Sequence, residues 1–85
     1  MTYAIEFSKS AQKEFSKLSP QIRLRVAKAI YTLESDPKKG NVRPMIGSKS
    51  WRLRAGNYRI IYDILDQKLV ILIIKLGHRK DIYRS

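Results

Sequence analysis

Cysteine is absent from this chain, so neither a disulfide nor a thiolate-held zinc supports the fold. That absence suits a reducing cytoplasm. Long apolar runs are missing too. The longest, Leu69 to Ile74, falls far short of the ~20 residues a membrane-spanning helix needs. The opening Met1-Thr2-Tyr3-Ala4-Ile5-Glu6 has neither the basic region nor the apolar stretch of a secretion signal, so the expected location is cytoplasmic. No Asp/Glu/His cluster shows metal-ligand spacing, which argues against a metal nuclease. No Gly-rich phosphate loop is present, which argues against nucleotide-triphosphate chemistry. No cofactor or metal is expected. Acidic residues are also scarce. Seven Asp and Glu stand against 18 Lys and Arg, a net charge of +11 on 85 residues. Such a surplus attracts polyanions with strong salt dependence: nucleic acid first, an acidic protein second, an anionic membrane third.

What is present fits one small domain over residues 1–85, with 44% hydrophobic residues to build a single core. Tyr3, Ile5 and Phe7 alternate with Ala4 and Glu6 and predict a short strand. Ser8 is placed to cap a helix over residues 9–18, whose apolar positions are Ala11, Phe15 and Leu18. Ser19-Pro20 predicts a second helix start, and Ile22, Val26, Ala29, Ile30 and Leu33 extend its apolar stripe to about residue 35. Asp36-Pro37 ends it, leaving an αα-hairpin. Residues 37–50, with two Pro and two Gly, read as a basic loop.

Two alternating runs then flank Gly56-Asn57, and Gly at the first loop position suits a type II′ turn. A two-residue loop pairs Ala55 with Tyr58, Arg54 with Arg59, Leu53 with Ile60, Arg52 with Ile61 and Trp51 with Tyr62. One face of strands 51–55 and 58–65 is then aromatic and aliphatic, and Trp51, Tyr58 and Tyr62 belong to the core. The other face carries Arg52, Arg54 and Arg59. A tight turn at Asp66-Gln67 predicts a third strand over 68–76, with Ile64 opposite Leu69, Tyr62 opposite Ile71 and Ile60 opposite Ile73. This strand is apolar on both sides and so is central and partly covered. The order is β-α-α-β-β-β. The expected class is α+β: a twisted antiparallel sheet with the N-terminal αα-hairpin packed on one face.

Surface arginines are usually only solvated. Two of them directly opposed on a sheet destabilise it, however, and a chain that keeps such a pair has a reason to hold an anion there, with phosphate the first choice. Arg52, Arg54 and Arg59 are therefore candidate catalytic residues. Beyond the third strand, His78 is either structural or a proton carrier, and Arg79 lies beside it. Tyr83 either packs on a sheet edge, stacks on a base or helps a proton move. The remaining cations form three groups: Lys9, Lys13 and Lys17 along the first helix; Lys38, Lys39, Arg43 and Lys49 in the loop; Lys80 and Arg84 in the tail. A phosphate-cleaving site with basic groups alone suits RNA, whose 2′-OH is an internal nucleophile.

The run from Trp51 to Tyr62, the ending Lys75-Leu76-Gly77-His78-Arg79-Lys80-Asp81-Ile82-Tyr83, and the N-terminal Tyr3-Ala4-Ile5-Glu6-Phe7-Ser8, Ala11 and Leu18-Ser19-Pro20 together resemble the RelE family of toxins from type II toxin–antitoxin systems. The resemblance spans nearly the whole chain. Its R-x-G-x-Y-R core, Arg54 to Arg59, is shared with the ParE branch, and the Gly77–Tyr83 ending leans toward RelE. The resemblance implies an mRNA interferase that enters the ribosomal A site. There the 2′-OH attacks the adjacent phosphate, without a metal, to leave a 2′,3′-cyclic phosphate and a 5′-OH. By the same resemblance, Arg52 and Arg54 take the basic first-strand positions and Arg59 holds the phosphate. Arg79 stabilises or protonates the leaving oxygen, and Tyr83 stacks on or orients the base. The three groups of further cations would contact RNA and ribosome. Some members carry Lys on the first strand, where it can act as a base; Arg at both positions here stays protonated. The base is then His78, Tyr83, or none, with alignment and electrostatics carrying the rate. The resemblance also implies a RelB-like antitoxin with an acidic segment that wraps the toxin in a hetero-oligomer. Two other readings share these residues: a ParE-like inhibitor of DNA gyrase and a non-catalytic ribosome- or RNA-binding module.

Overall fold

A computed structural model describes residues 2–78. The elements, in chain order, are β1 (Ala4–Phe7), α1 (Lys9–Ser16), α2 (Pro20–Tyr31) with a 3₁₀ turn at Thr32–Glu34, β2 (Val42–Pro44), β3 (Trp51–Ala55), β4 (Tyr58–Leu65) and β5 (Val70–His78). The strands form one five-stranded sheet in the order β1-β5-β4-β3-β2. The architecture is α+β with the αα-hairpin on one sheet face, as the sequence implies. Two features of the sheet were not anticipated. β1 pairs with β5 in parallel, because the two helices return the chain to its starting side, so the sheet is mixed. A short fifth strand, β2, forms inside what reads as a loop.

The helices start for local reasons. Ser8 caps α1, its Oγ accepting the Ala11 N–H at 3.1 Å. Pro20 opens α2 at a position where no N–H is needed. The Ser19 hydroxyl makes no cap bond, and the Ser19 carbonyl accepts the Arg23 N–H at 2.8 Å. Both helices turn their apolar stripes to the sheet. Ala11, Val26, Ile30 and Leu33 meet Leu53, Ala55, Ile60, Tyr62, Ile71, Ile73 and Leu76 in one core. Tyr62 is fully buried, while Trp51 and Tyr58 are half-buried against the same core.

The β3–β4 register matches the sequence reading pair for pair, from Trp51–Tyr62 to Ala55–Tyr58. Gly56 has φ +62° while Asn57 does not have positive φ, the combination a type II′ turn requires. The β4–β5 register differs from expectation. The connection is the four residues 66–69, closed by Leu69 in the left-handed region at φ 52°, so Ile64 pairs with Ile71 and Tyr62 with Ile73. A bulge follows. Beyond it Ile61 pairs with Lys75, Ile60 with Leu76, Arg59 with Gly77 and Tyr58 with His78. The extra residue, Ile74, offers its carbonyl to the Ser8 Oγ–H at 2.7 Å, while the Ser8 N–H donates to the Ile73 carbonyl at 2.8 Å. One serine thus caps a helix and ties the bulge to it. β5 is central, as its two-sided apolar pattern implies: Ile71, Ile73 and Leu76 enter the core, while Val70 on the other face is also buried.

Tyr62 gives the fold an alkaline limit. Its hydroxyl donates to the Pro37 carbonyl at 2.5 Å, and burial raises its pKa above the usual tyrosine range. Because the folded pKa exceeds the unfolded value near 10, the contribution is intact below about pH 10 and is lost as pH rises beyond it. In urea melts, Tyr62→Phe should be less stable than the parent by about 0.5–1.5 kcal/mol at pH 7–8, with the gap closing above about pH 10. A gap that holds constant to pH 11 would contradict this.

Candidate nucleic-acid interface

The site begins with strand alternation. Arg52 and Arg54 lie two apart on β3 and so share a face, and the II′ turn brings Arg59 directly opposite Arg54. β2 adds a fourth arginine, because Arg43 pairs with Arg52. These side chains stand on the sheet face away from the helices. With Lys38, Gly40 and Asn41 from the preceding loop they line an open groove of about 900 Å³, which Trp51, Val42 and Pro44 also border. Among the described residues no carboxylate lines it.

Arg59 is the most constrained member. It is only 9% exposed, and its Nη1 donates to two backbone carbonyls, Gly56 at 3.3 Å and Tyr58 at 3.2 Å. Neither Arg54 nor Arg59 has a carboxylate partner among the described residues, where the one ion pair is the exposed Lys17–Glu14 contact. A guanidinium this buried gains from an anion that replaces its lost hydration. Gly77 stands opposite Arg59 on the β5 side, so the paired residue adds no side chain there. Since Arg54 is exposed and directly opposed by Arg59, Arg54→Ala should stabilise the free protein by about 0.2–1 kcal/mol. An equilibrium melt at low salt reads this directly; a loss of stability would show that the pair is not repulsive.

The other sequence candidates separate. Lys38 and Arg43 join the arginines in the groove, Lys39 lies on the neighbouring surface beside Arg54, and Lys49 is exposed in the loop before β3. Lys9, Lys13 and Lys17 are exposed on α1, in the layer on the opposite side of the sheet. His78 is not brought to the arginines. The bulge reverses the alternation of β5, so His78 pairs with Tyr58 on the helix-facing side, its ring 5.6 Å from the Tyr58 ring and edge-on to it. Arg79, Lys80, Tyr83 and Arg84 lie outside the described residues. The same bulge puts Lys75, which sequence reasoning missed, on the arginine face opposite Ile61. Among the described residues no group of three or more His, Asp or Glu side chains is placed to hold a metal ion, and no helix is long and apolar enough to cross a membrane.

Comparison with known proteins assigns this mixed sheet and αα-hairpin to a class, the toxins of type II toxin–antitoxin systems. Residues 5–83 match the family described as ParE toxin of type II toxin-antitoxin system, parDE. Toxin RelG of Mycobacterium tuberculosis is 33% identical over 88 residues, covering 99% of this chain and 99% of the relative. The mRNA interferase toxin RelE of Escherichia coli is 29% identical over 82 residues, covering 94% of this chain and 86% of the relative. The toxin-antitoxin complex RelBE2 from Mycobacterium tuberculosis contains a chain that superposes with a TM-score of 0.83 at 27% identity, covering 93% of this chain and 100% of that one. A chain of the intact Escherichia coli RelBE complex superposes with a TM-score of 0.78 at 28% identity, over 89% of this chain and 95% of that one. The chain belongs to the RelE family of type II toxins, within the superfamily that includes ParE.

Proposed function

We propose that this toxin is a ribosome-dependent mRNA endonuclease that cleaves in the A site without a metal ion. The observation that carries the reading is Arg59, nearly buried, without a carboxylate partner among the described residues, and facing Arg54 beside a groove that also holds Lys38, Arg43 and Arg52. That arrangement suits a phosphodiester whose charge grows during reaction. The relative from Escherichia coli is named an mRNA interferase, which supports the same chemistry.

In this reading the 2′-OH oxygen attacks phosphorus and the bond to the 5′ oxygen breaks. The products are a 2′,3′-cyclic phosphate and a 5′-OH, so one proton leaves the attacking oxygen and one reaches the leaving oxygen. Arg59 holds the phosphate. Arg54 and Arg52 neutralise the strand on either side. Arg79 is assigned to the leaving oxygen and Tyr83 to the base. His78 receives no proton-transfer role because it sits against Tyr58, in a cavity that Ser10 and Glu14 of α1 also line. Alignment and charge stabilisation carry most of the rate. The remaining cations, on α1 and in the loop, contact ribosomal RNA through their charge. The partner is a RelB-like antitoxin whose acidic segment covers the groove; relatives of this chain were solved as toxin–antitoxin complexes. The expected compartment is the cytoplasm, where the ribosomes are.

The match to the ParE description favours one second reading, inhibition of DNA gyrase. A supercoiling assay beside an mRNA-cleavage assay on programmed ribosomes separates the two. Blocked supercoiling with intact mRNA would replace the nuclease reading. A phosphorothioate at the scissile position tests the metal. Slowed cleavage that thiophilic Mn²⁺ or Cd²⁺ fails to restore agrees with a metal-free site, and restoration would contradict it.

A further inference from the structure

We infer that Lys75 is a substrate-contacting residue of the same site and that it binds the phosphate next to the one held by Arg59. The inference rests on the nuclease reading and extends it to a residue that the arginine pattern does not include. Plain alternation would leave Lys75 on the helix side, with Ile71 and Ile73. The bulge at Ile74 reverses this. Leu76 enters the core at 2% exposure beside Ile60, and Lys75 stands opposite Ile61 on the far face.

Arg43, Arg52, Ile61 and Lys75 then form one row across β2, β3, β4 and β5, so cations flank Ile61 on both sides. Within β4 and β5, Arg59 pairs with Gly77 and Ile61 with Lys75, which makes Arg59 and Lys75 diagonal neighbours, about 7–8 Å apart at the backbone. Two such side chains can grip successive phosphates of a single strand. Lys75 is half-buried, borders a cavity that Glu14 and Lys17 also line, and makes no ion pair among the described residues. The bulge is not a loose feature of the sheet. The Ser8 hydroxyl holds the Ile74 carbonyl at 2.7 Å while capping α1, which fixes the turn of β5 that delivers Lys75.

The test is single-turnover cleavage of mRNA held in programmed 70S ribosomes, at saturating toxin, for the parent, Lys75→Met and Lys75→Arg. Lys75→Met keeps the apolar stem and removes the charge, and Lys75→Gln serves as the second neutral variant should the methionine form not fold. The neutral variants should slow cleavage about 10- to 100-fold, while Lys75→Arg stays within about threefold of the parent. A neutral methylphosphonate at the phosphate neighbouring the scissile one should slow the parent similarly and leave Lys75→Met with little further loss. Parent-like rates in folded neutral variants would overturn the inference while leaving the nuclease reading intact, as would equal losses in Lys75→Met and Lys75→Arg or fully additive losses with the methylphosphonate. A parent that cleaves nothing would remove the nuclease reading, and this inference with it.

Discussion

Replacing Arg59 with alanine should lower the single-turnover rate of mRNA cleavage on programmed ribosomes by about 10²- to 10³-fold, the loss seen when one preorganised donor to a developing oxyanion is removed. Arg59 earns this prominence from its surroundings. It is almost buried, its Nη1 rests on the Gly56 and Tyr58 carbonyls, and its β5 partner, Gly77, carries no side chain. Its position therefore needs little reorganisation when phosphate arrives. Arg59→Lys separates charge from shape. Lysine retains the charge but not the planar two-pronged contact, so it should recover no more than about tenfold of the loss. Removing the charge in Arg59→Ala also relieves its opposition to Arg54, and circular dichroism with a urea melt checks that both variants fold. Cleavage by folded Arg59→Ala at a parent-like rate would remove the phosphate from this position.

The largest effect is expected from the substrate. A single 2′-deoxy nucleotide immediately 5′ to the scissile phosphate should reduce cleavage by about 10⁵-fold or more, to below detection. An intramolecular nucleophile in place is worth effective molarities of roughly 10⁵–10⁸ M, and a site that works by holding the phosphate and neutralising its charge has nothing comparable to substitute for it. Residual cutting would therefore be slow and would shift to other phosphates. Deoxy-substituted mRNA that is cut at the same bond, with a 3′-phosphate left behind, would mean that water is the nucleophile and that the arginine face alone does not describe the site.

The β3–β4 hairpin was legible in the sequence because everything that determines it is local. Gly56 supplies the positive φ, the turn fixes the pairing, and alternation separates Arg52, Arg54 and Arg59 from Leu53, Ile60 and Tyr62. The helices were legible for the same reason, through Ser8, Pro20 and the Ala11–Leu18 and Ile22–Leu33 stripes. Long-range contacts were not. Val42–Pro44 sits among Gly and Pro residues and becomes a strand only because β3 offers it a free edge, and Arg43 reaches the groove through that pairing. The parallel partnership of β1 with β5 depends on how the helices return the chain. The four-residue β4–β5 connection carries no Gly, and Leu69 takes the left-handed conformation that a Gly or Asn would have signalled. The bulge at Ile74 had the largest consequence for the site. No residue type marks it within an unbroken apolar run, and its anchor is Ser8, at the other end of the chain. It moves Lys75 to the arginine face and His78 away from it.

The measurement that tests the central claim most directly is primer extension on mRNA held in purified 70S ribosomes, with and without the ribosomes, after addition of the purified toxin. The account predicts cuts within the A-site codon that require the ribosome and end in a 2′,3′-cyclic phosphate. Intact mRNA on ribosomes that have bound the toxin would contradict it.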